Sequence, residues 1–171
     1  MQIWYFWIYS FLGYLLEKGF AKATHARQQG RKCFLLLPLC PVYGLGMLTV
    51  LALPEALTRG VLGIIVCGMA ATAVEYVVHW FYDTFLDVRF WDYSKVPGNM
   101  RGRICLPFSL IWGGLTAVAV RWVQSAVERL AEQTIPEVTY LCLLVFAGDA
   151  LCSLRILRVT GDPERLRADR A

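Results

Sequence analysis

Five long apolar stretches, separated by short charged segments, constrain this chain more than any other feature of its sequence. They cover about residues 2–20, 34–53, 61–82, 104–123 and 138–157. A helix needs about 20 apolar residues to cross the roughly 30 Å hydrocarbon core of a bilayer. We therefore predict an all-α integral membrane protein, a bundle of about five transmembrane helices.

The composition agrees with a lipid bilayer as the surroundings of the chain. Hydrophobic residues make up 57% and charged residues 18%, and the mean hydropathy is +0.50. A soluble domain has about 25% charged residues. The formal net charge is +4, but the basic residues stand in short blocks between apolar stretches. Because they do not follow one face of a soluble domain, no nucleic-acid partner is expected.

The distribution of lysine and arginine predicts the orientation in the membrane. Cytoplasmic loops of membrane proteins carry an excess of both residues. With five spans, 14 of the 17 fall on one side and three on the other. The three exceptions are Arg59, Arg121 and Arg129. We therefore predict an outside N-terminus and a cytoplasmic C-terminus, with one transmembrane domain over residues 1–157 and a charged cytoplasmic tail over residues 158–171.

The second apolar stretch is expected to be irregular in its first half. It contains Pro38, Pro41, Gly44 and Gly46, and proline inside a helix bends or breaks it. The chain has six cysteines without a Cys-x-x-Cys pair. We therefore expect neither a disulfide framework nor a metal site at Cys33 and Cys40.

Three acidic residues inside the apolar stretches are the first candidates for function. An ionisable group at the centre of a membrane helix costs about 2.5–3.5 kcal/mol, so it is a functional hypothesis by default. Glu17, Glu75 and Asp149 lie in the predicted cytoplasmic halves of three helices. We predict a shared polar cavity that opens inward.

Further polar residues are assigned to this inner cavity. Glu75, His79 and Asp83 have a spacing of i, i+4 and i+8, which places them on one helix face. His79 could relay a proton, or it could simply hydrogen-bond a neighbour near the interface. The expected counter-charges are Arg101 and Arg103, and a purely structural ion pair is the alternative. The predicted cavity set comprises Glu17, Glu75, His79, Arg101, Arg103 and Asp149.

The long loop before the fourth stretch is the most distinctive segment. Its aromatic residues suit an interfacial turn, in which Asp92 and Ser94 would cap backbone groups. Gly98, Asn99 and Gly102 mark tight turns. No GxxxxGK[ST], GxSxG or HExxH motif occurs. The sequence therefore favours a protein without catalytic residues of its own, and no cofactor or metal is predicted.

Several motifs resemble those of the bacterial ABC-transporter type IV permease family. Residues 8–14 and Glu17 are similar to the family's opening, and residues 37–44 to its Gly-Pro-x-Cys-Pro-x-Tyr-Gly element, with Leu37 in place of the glycine. The Glu-Tyr pair, the Trp-Asp-Tyr-Ser loop with the following Asn-x-x-Gly, and the Ser-x-x-Trp-Gly element also occur, in the family's order, between residues 75 and 113. The motif residues are Cys40, Pro41, Tyr43, Gly44, Trp91, Asp92, Tyr93, Ser94, Asn99, Gly102, Ser109 and Trp112.

The resemblance implies a multi-pass protein of the bacterial cytoplasmic membrane. Three functions remain open at this point. The first is a transport permease subunit that works with a separate ATPase and forms homo- or hetero-oligomers. The second is an integral membrane enzyme that acts on a lipid or lipid-linked group, with Glu75, His79 and Asp92 as acid or base. The third is a non-catalytic assembly partner, in which the Gly113-Gly114 pair and Gly44-x-Gly46 permit close helix approach.

Overall fold

The computed structural model describes residues 1–24 and 33–166. The chain is mostly helical in this part, with one small hairpin. Its elements are α1 (Gln2–Ala23), α2 (Pro41–Leu51), α3 (Glu55–Thr58), α4 (Gly60–Phe85), β1 (Asn99–Met100), β2 (Ile104–Cys105), α5 (Leu106–Val118), a π-helical turn (Ala119–Val123), α6 (Gln124–Glu132), α7 (Pro136–Thr160) and a 3-10 turn (Pro163–Leu166). The basic residues Arg27, Arg31, Lys32, Arg167 and Arg170 lie outside the described residues.

Three helices within the described residues are long and apolar enough to cross a membrane. They are α4, the continuous helix Leu106–Glu132 that contains α5 and α6, and α7. Each has at least 25 residues, which exceeds the roughly 20 needed to span the hydrocarbon core. The prediction of an all-α membrane protein is confirmed. The count of five spans and their orientation stay predictions.

α1 and α2 complete the predicted bundle with less typical helices. α1 has 22 residues, but it contains several tyrosine and tryptophan residues together with Glu17, Lys18 and Lys22, which lower its hydropathy. α2 has only 11 residues, or about 16 Å at 1.5 Å per residue. α2 packs against both α1 and α4, and α4 packs against α5.

The second apolar stretch is broken where its prolines predict. Of the apolar stretch 34–53, only the second half is helical, because α2 begins at Pro41. Proline at the first helical position has no N–H to leave unpaired, and the preceding Cys40 is extended at φ −107°. Residues 34–38 form bends, so the predicted irregular first half is confirmed.

One disulfide lies in this irregular segment, between Cys33 and Cys40. No disulfide framework was expected, and this pair is the one disulfide in the described part of the chain. The bends bring the two Cα atoms to 5.3 Å. The remaining cysteines, Cys67, Cys105, Cys142 and Cys152, are free.

Close helix contacts occur at glycines in two places. A Cβ atom on Gly68 of α4 would lie 2.8 Å from the Cα atom of Gly113 in α5. Between α1 and α2, a Cβ atom on Gly13 would overlap the Tyr43 ring, and one on Gly44 would overlap Ser10. Small residues of this kind let helix backbones approach in a membrane. Gly114 was expected to share this role, but a Cβ atom there would meet no neighbouring atom within 4 Å.

We expect Gly68→Ala to destabilise the protein by about 1–3 kcal/mol, because the added methyl group meets the backbone of α5. The measurement is thermal unfolding of the purified protein in a mild detergent. Gly114→Ala is the matched control, since its methyl group would enter open space. Equal melting temperatures for the two variants would contradict the tight α4–α5 contact.

Candidate functional site

Glu75 is the most deeply buried charged residue that the structure describes. Its exposed fraction is 1%, and that of His79, one turn later on α4, is 3%. Asp83 follows on the same face and is partly buried. The predicted alignment of these three residues along one side of α4 is therefore observed. This side of α4 faces the long loop and the start of α5.

Among the described residues, Tyr93 and Trp112 donate hydrogen bonds to the Glu75 carboxylate, each from a different part of the chain. The Tyr93 hydroxyl donates to Oε1 at 3.1 Å. The Trp112 indole Nε1 donates to Oε2 at 2.8 Å. Tyr93 comes from the loop and Trp112 from α5, so the carboxylate joins α4 to both. Hydrogen bonds to a buried carboxylate offset part of its cost of desolvation.

Tyr43 connects this carboxylate to a second one. Its ring lies against the ring of Trp112, with centroids 4.8 Å apart. Its hydroxyl donates to Glu17 Oε1 at 2.7 Å. A continuous series of contacts therefore runs from Glu17 on α1, through Tyr43 on α2 and Trp112 on α5, to Glu75 on α4. We call Glu17, Tyr43, Trp112, Glu75 and Tyr93 the carboxylate cluster.

The arginines expected to neutralise Glu75 lie elsewhere. Arg103 pairs with Asp83, with Nη2 and Oδ2 2.9 Å apart, and its Nη1 donates to the Tyr76 hydroxyl at 3.2 Å. Arg101 is exposed. The prediction that these two arginines face Glu75 is wrong. The reason is geometric, because the hairpin places Arg103 near the end of α4, two turns beyond Glu75.

Asp83 is the centre of an ion-pair network that the sequence reasoning did not identify. Besides Arg103 it binds Arg89, with Nε and Oδ1 2.7 Å apart. The hydrogen bond to Asp83 raises the pKa of both arginines above their ordinary values. In the sequence, this network is indicated by the position of Asp83, which lies eight residues after Glu75 on the same helix face.

The Trp-Asp-Tyr-Ser loop is fixed by hydrogen bonds to the hairpin. Trp91 Nε1 donates to the Arg103 carbonyl at 2.9 Å, and the Tyr93 backbone N–H donates to the Gly102 carbonyl at 2.8 Å. Asp92 Oδ1 accepts from the Ser94 backbone N–H at 2.8 Å. This hydrogen bond lowers the pKa of Asp92. Asp92 therefore caps a turn, which is the structural role predicted for it.

Asn99 and two glycines shape the turn that follows. The Asn99 side chain donates to the carbonyls of Ser94 and Val96 and accepts from the Gly102 backbone N–H. Gly102 has φ +70°, and a Cβ atom there would lie 2.7 Å from Asp92 Oδ1. The turn thus requires glycine for its conformation and for its space. These hydrogen bonds fix the shape of the loop that places the Tyr93 hydroxyl against Glu75.

His79 binds the same loop. Its Nε2 lies 2.9 Å from the Trp91 carbonyl oxygen, and the two rings meet edge to face with centroids 5.1 Å apart. Its Nδ1 is buried and has no hydrogen-bond partner in the described part of the chain. The hydrogen bond to a neighbour is the simpler of the two roles predicted for His79. Within residues 1–24 and 33–166, no group of three metal-ligand side chains is found.

The other predicted residues have contacts outside the carboxylate cluster. Asp149 Oδ2 on α7 accepts from the Leu37 backbone N–H at 3.3 Å. The Cys40 backbone N–H donates to the Ser10 carbonyl at 2.9 Å. The Ser109 hydroxyl donates to the Cys105 carbonyl in the first turn of α5. The structure therefore joins Glu17 and Glu75, while Asp149 supports the irregular segment before α2.

Long apolar helices, an irregular segment before α2 and a buried carboxylate held by aromatic donors define a multi-helix membrane protein. The chain belongs to the family described as "Putative ABC-transporter type IV", whose family model matches residues 4–154. The resemblance predicted from the motifs is confirmed, and it extends into α7. No curated protein and no solved structure matches the chain.

We expect Trp112→Phe to destabilise the protein by about 1–3 kcal/mol, because Glu75 Oε2 would lose a donor in a buried position. Trp122→Phe is the control, since Trp122 is 69% exposed and a surface change of this size costs less than about 0.5 kcal/mol. Thermal unfolding in detergent measures both. A melting temperature for Trp112→Phe equal to that of the control would show that the hydrogen bond contributes nothing.

Proposed function

We propose that this chain is a permease-type transport subunit in the bacterial cytoplasmic membrane, with five spans, an outside N-terminus and a cytoplasmic C-terminus. The observation that carries this proposal is the burial of Glu75 in a membrane-spanning helix. A carboxylate in that position costs free energy, and such residues mark ion and substrate routes in membrane proteins. Membership of a transport-related family supports the same assignment.

Five spans require that the second stretch crosses the membrane together with its irregular segment. Irregular backbone at membrane depth is tolerated where protein satisfies its polar groups. Here the Asp149 carboxylate accepts from the Leu37 N–H, and the Ser10 carbonyl accepts from the Cys40 N–H. Leu35 and Cys40 are also buried. These contacts support a second span made of a short helix and a protein-covered extended segment.

Reporter fusions test the orientation. We expect a C-terminal green fluorescent protein to fluoresce and a C-terminal alkaline phosphatase to be inactive, because the first reporter works in the cytoplasm and the second outside it. Alkaline phosphatase fused after Gln133, between α6 and α7, should be active. An inactive phosphatase after Gln133, or an active one at the C-terminus, would contradict the proposed orientation of the last span.

The carboxylate cluster would form part of the transport route. Glu75 lies where α4, α5 and the Trp-Asp-Tyr-Ser loop meet, and its contacts extend through Trp112 and Tyr43 to Glu17. Discontinuous helices near buried charged groups are a recurring arrangement at transporter binding sites. The break before α2 lies on the neighbouring helix that supplies Tyr43.

A separate ATPase would supply the energy, because the chain has no P-loop sequence. The proposed docking surface consists of the basic cytoplasmic loops. Arg89 and Lys95 belong to it in the described part of the chain, while Arg31 lies outside the described residues. A bundle of this size would work as a homo- or hetero-oligomer. The exposed apolar face of α7, with Leu144 72% exposed, is available for such contacts or for lipid.

Copurification from native membranes tests this function. We expect a P-loop ATPase to be recovered in stoichiometric amount, as identified by mass spectrometry. Glu75→Gln should leave the complex intact but lower the ATP hydrolysis that the complex supports in lipid vesicles, by about tenfold or more if Glu75 is needed for turnover. Glu137→Gln, at an exposed carboxylate in the first turn of α7, is the matched control and should not change it.

Two outcomes would contradict the proposal. Recovery of the protein alone, or with enzymes of lipid metabolism, would contradict an ATPase-coupled permease. It would favour a membrane enzyme or a non-catalytic assembly partner. Loss of the complex with Glu75→Gln, together with a lower melting temperature, would assign Glu75 to the structure and not to transport.

A further inference from the structure

A large groove lies at the opposite end of α4 from the carboxylate cluster. Its volume is about 950 Å³, and it runs between the beginning of α4 and the π-helical turn after α5. The residues that line it include two arginines, Arg59 and Arg121, a carboxylate, Glu55, and several apolar side chains. It is therefore charged at one part of its wall and apolar at another.

Arg59 and Arg121 belong to the small set of basic residues on the predicted outer side of the membrane. Only three of the 17 basic residues fall on the predicted outer side of the membrane, and two of these three line this groove. The third, Arg129, is absent from its lining and donates to the Ser125 carbonyl on its own helix. The sparse positive charge of this side is thus concentrated at one place.

The charges of the groove are available to an anion. Arg59 pairs with Glu55, four residues earlier, and both side chains are about three-quarters exposed at 74% and 76%. Exposed pairs of this kind contribute little free energy, so an anionic ligand can replace Glu55. Arg121 is exposed and forms no ion pair with any residue in the described part of the chain. Two arginines against one carboxylate leave the groove positive.

The apolar wall faces the surroundings of the protein. Val61 is 76%, Ile64 42% and Val118 45% exposed, and all three line the groove. In a membrane protein such side chains contact lipid acyl chains. Trp122 also lines it and is 69% exposed, and tryptophan is enriched at the level of lipid headgroups. Arg121 and Trp122 are typical of the membrane interface, and Ile64 is typical of the hydrocarbon core. The groove therefore contains side chains suited to both regions.

We infer that this groove binds an anionic phospholipid, whose phosphate lies between Arg59 and Arg121 and whose acyl chain follows Ile64 and Val118. Guanidinium groups bind phosphate through paired, charge-assisted hydrogen bonds. The apolar wall selects a lipid over a free anion, because it is covered only when an acyl chain is present. This inference rests on membrane insertion and does not depend on the proposed transport function.

Native mass spectrometry of the full-length protein in mild detergent tests it, with phosphatidylglycerol and phosphatidylcholine of identical acyl chains as probes. The wild-type protein should retain phosphatidylglycerol at least about fivefold better. Arg121→Gln should remove about fivefold of that retention, the factor expected for one arginine at a membrane surface. Arg121→Lys should keep most of it, and Arg129→Gln is the matched control that should keep all of it.

Three results would overturn the inference. They are equal retention of the two lipids, an equal loss with Arg121→Gln and Arg129→Gln, and displacement of phosphatidylglycerol by millimolar inorganic phosphate. The last result would show that the groove binds a free anion. A melting temperature for Arg121→Gln equal to that of the wild type establishes that any loss of lipid comes from the missing guanidinium.

Discussion

A carboxylate inside a membrane bundle must be given hydrogen-bond donors, and the way Glu75 receives them organises much of this molecule. One donor, Tyr93, can reach it only if the loop after α4 folds back along that helix. Another donor, Trp112, can reach it only if α5 packs closely beside α4. The Gly68–Gly113 contact permits that approach. The position of one acidic side chain therefore requires a particular loop, a particular helix pair and glycine at their contact.

The sequence motifs acquire a physical meaning from these contacts. Tyr43 of the Cys-Pro-x-Tyr-Gly element, Glu75 of the Glu-Tyr pair, Tyr93 of the Trp-Asp-Tyr-Ser loop and Trp112 of the Ser-x-x-Trp-Gly element meet in one cluster. The remaining motif residues serve the shape of the segments that carry these four. Asp92 and Asn99 hold turns, and Pro41 begins α2. The motifs are thus parts of one site although they are far apart in the chain.

The long helices could be predicted from the sequence because bilayer thickness and apolar length are directly related. α4 and α7 begin and end within a few residues of the predicted stretches. The alignment of Glu75, His79 and Asp83 followed from helical spacing alone. The partners of Glu75 could not be predicted, because Tyr93 and Trp112 approach it through tertiary packing. The pairing of Arg103 with Asp83 depends on the conformation of the hairpin, and the Cys33–Cys40 disulfide depends on bends that no local pattern specifies.

The π-helical turn at Ala119–Val123 has a consequence for the helix that follows it. Such a turn accommodates one residue more than an α-helical turn does. α6 is therefore rotated about the helix axis as if the preceding α-helix were one residue shorter. In that orientation Gln124 accepts a hydrogen bond from the Tyr9 hydroxyl at 2.8 Å, and Val127 and Ala131 are buried. The π-helical turn thus sets the rotation of the amphipathic α6 relative to the lipid-facing α5. One continuous helix can therefore place its first part against lipid and bury one side of its last part.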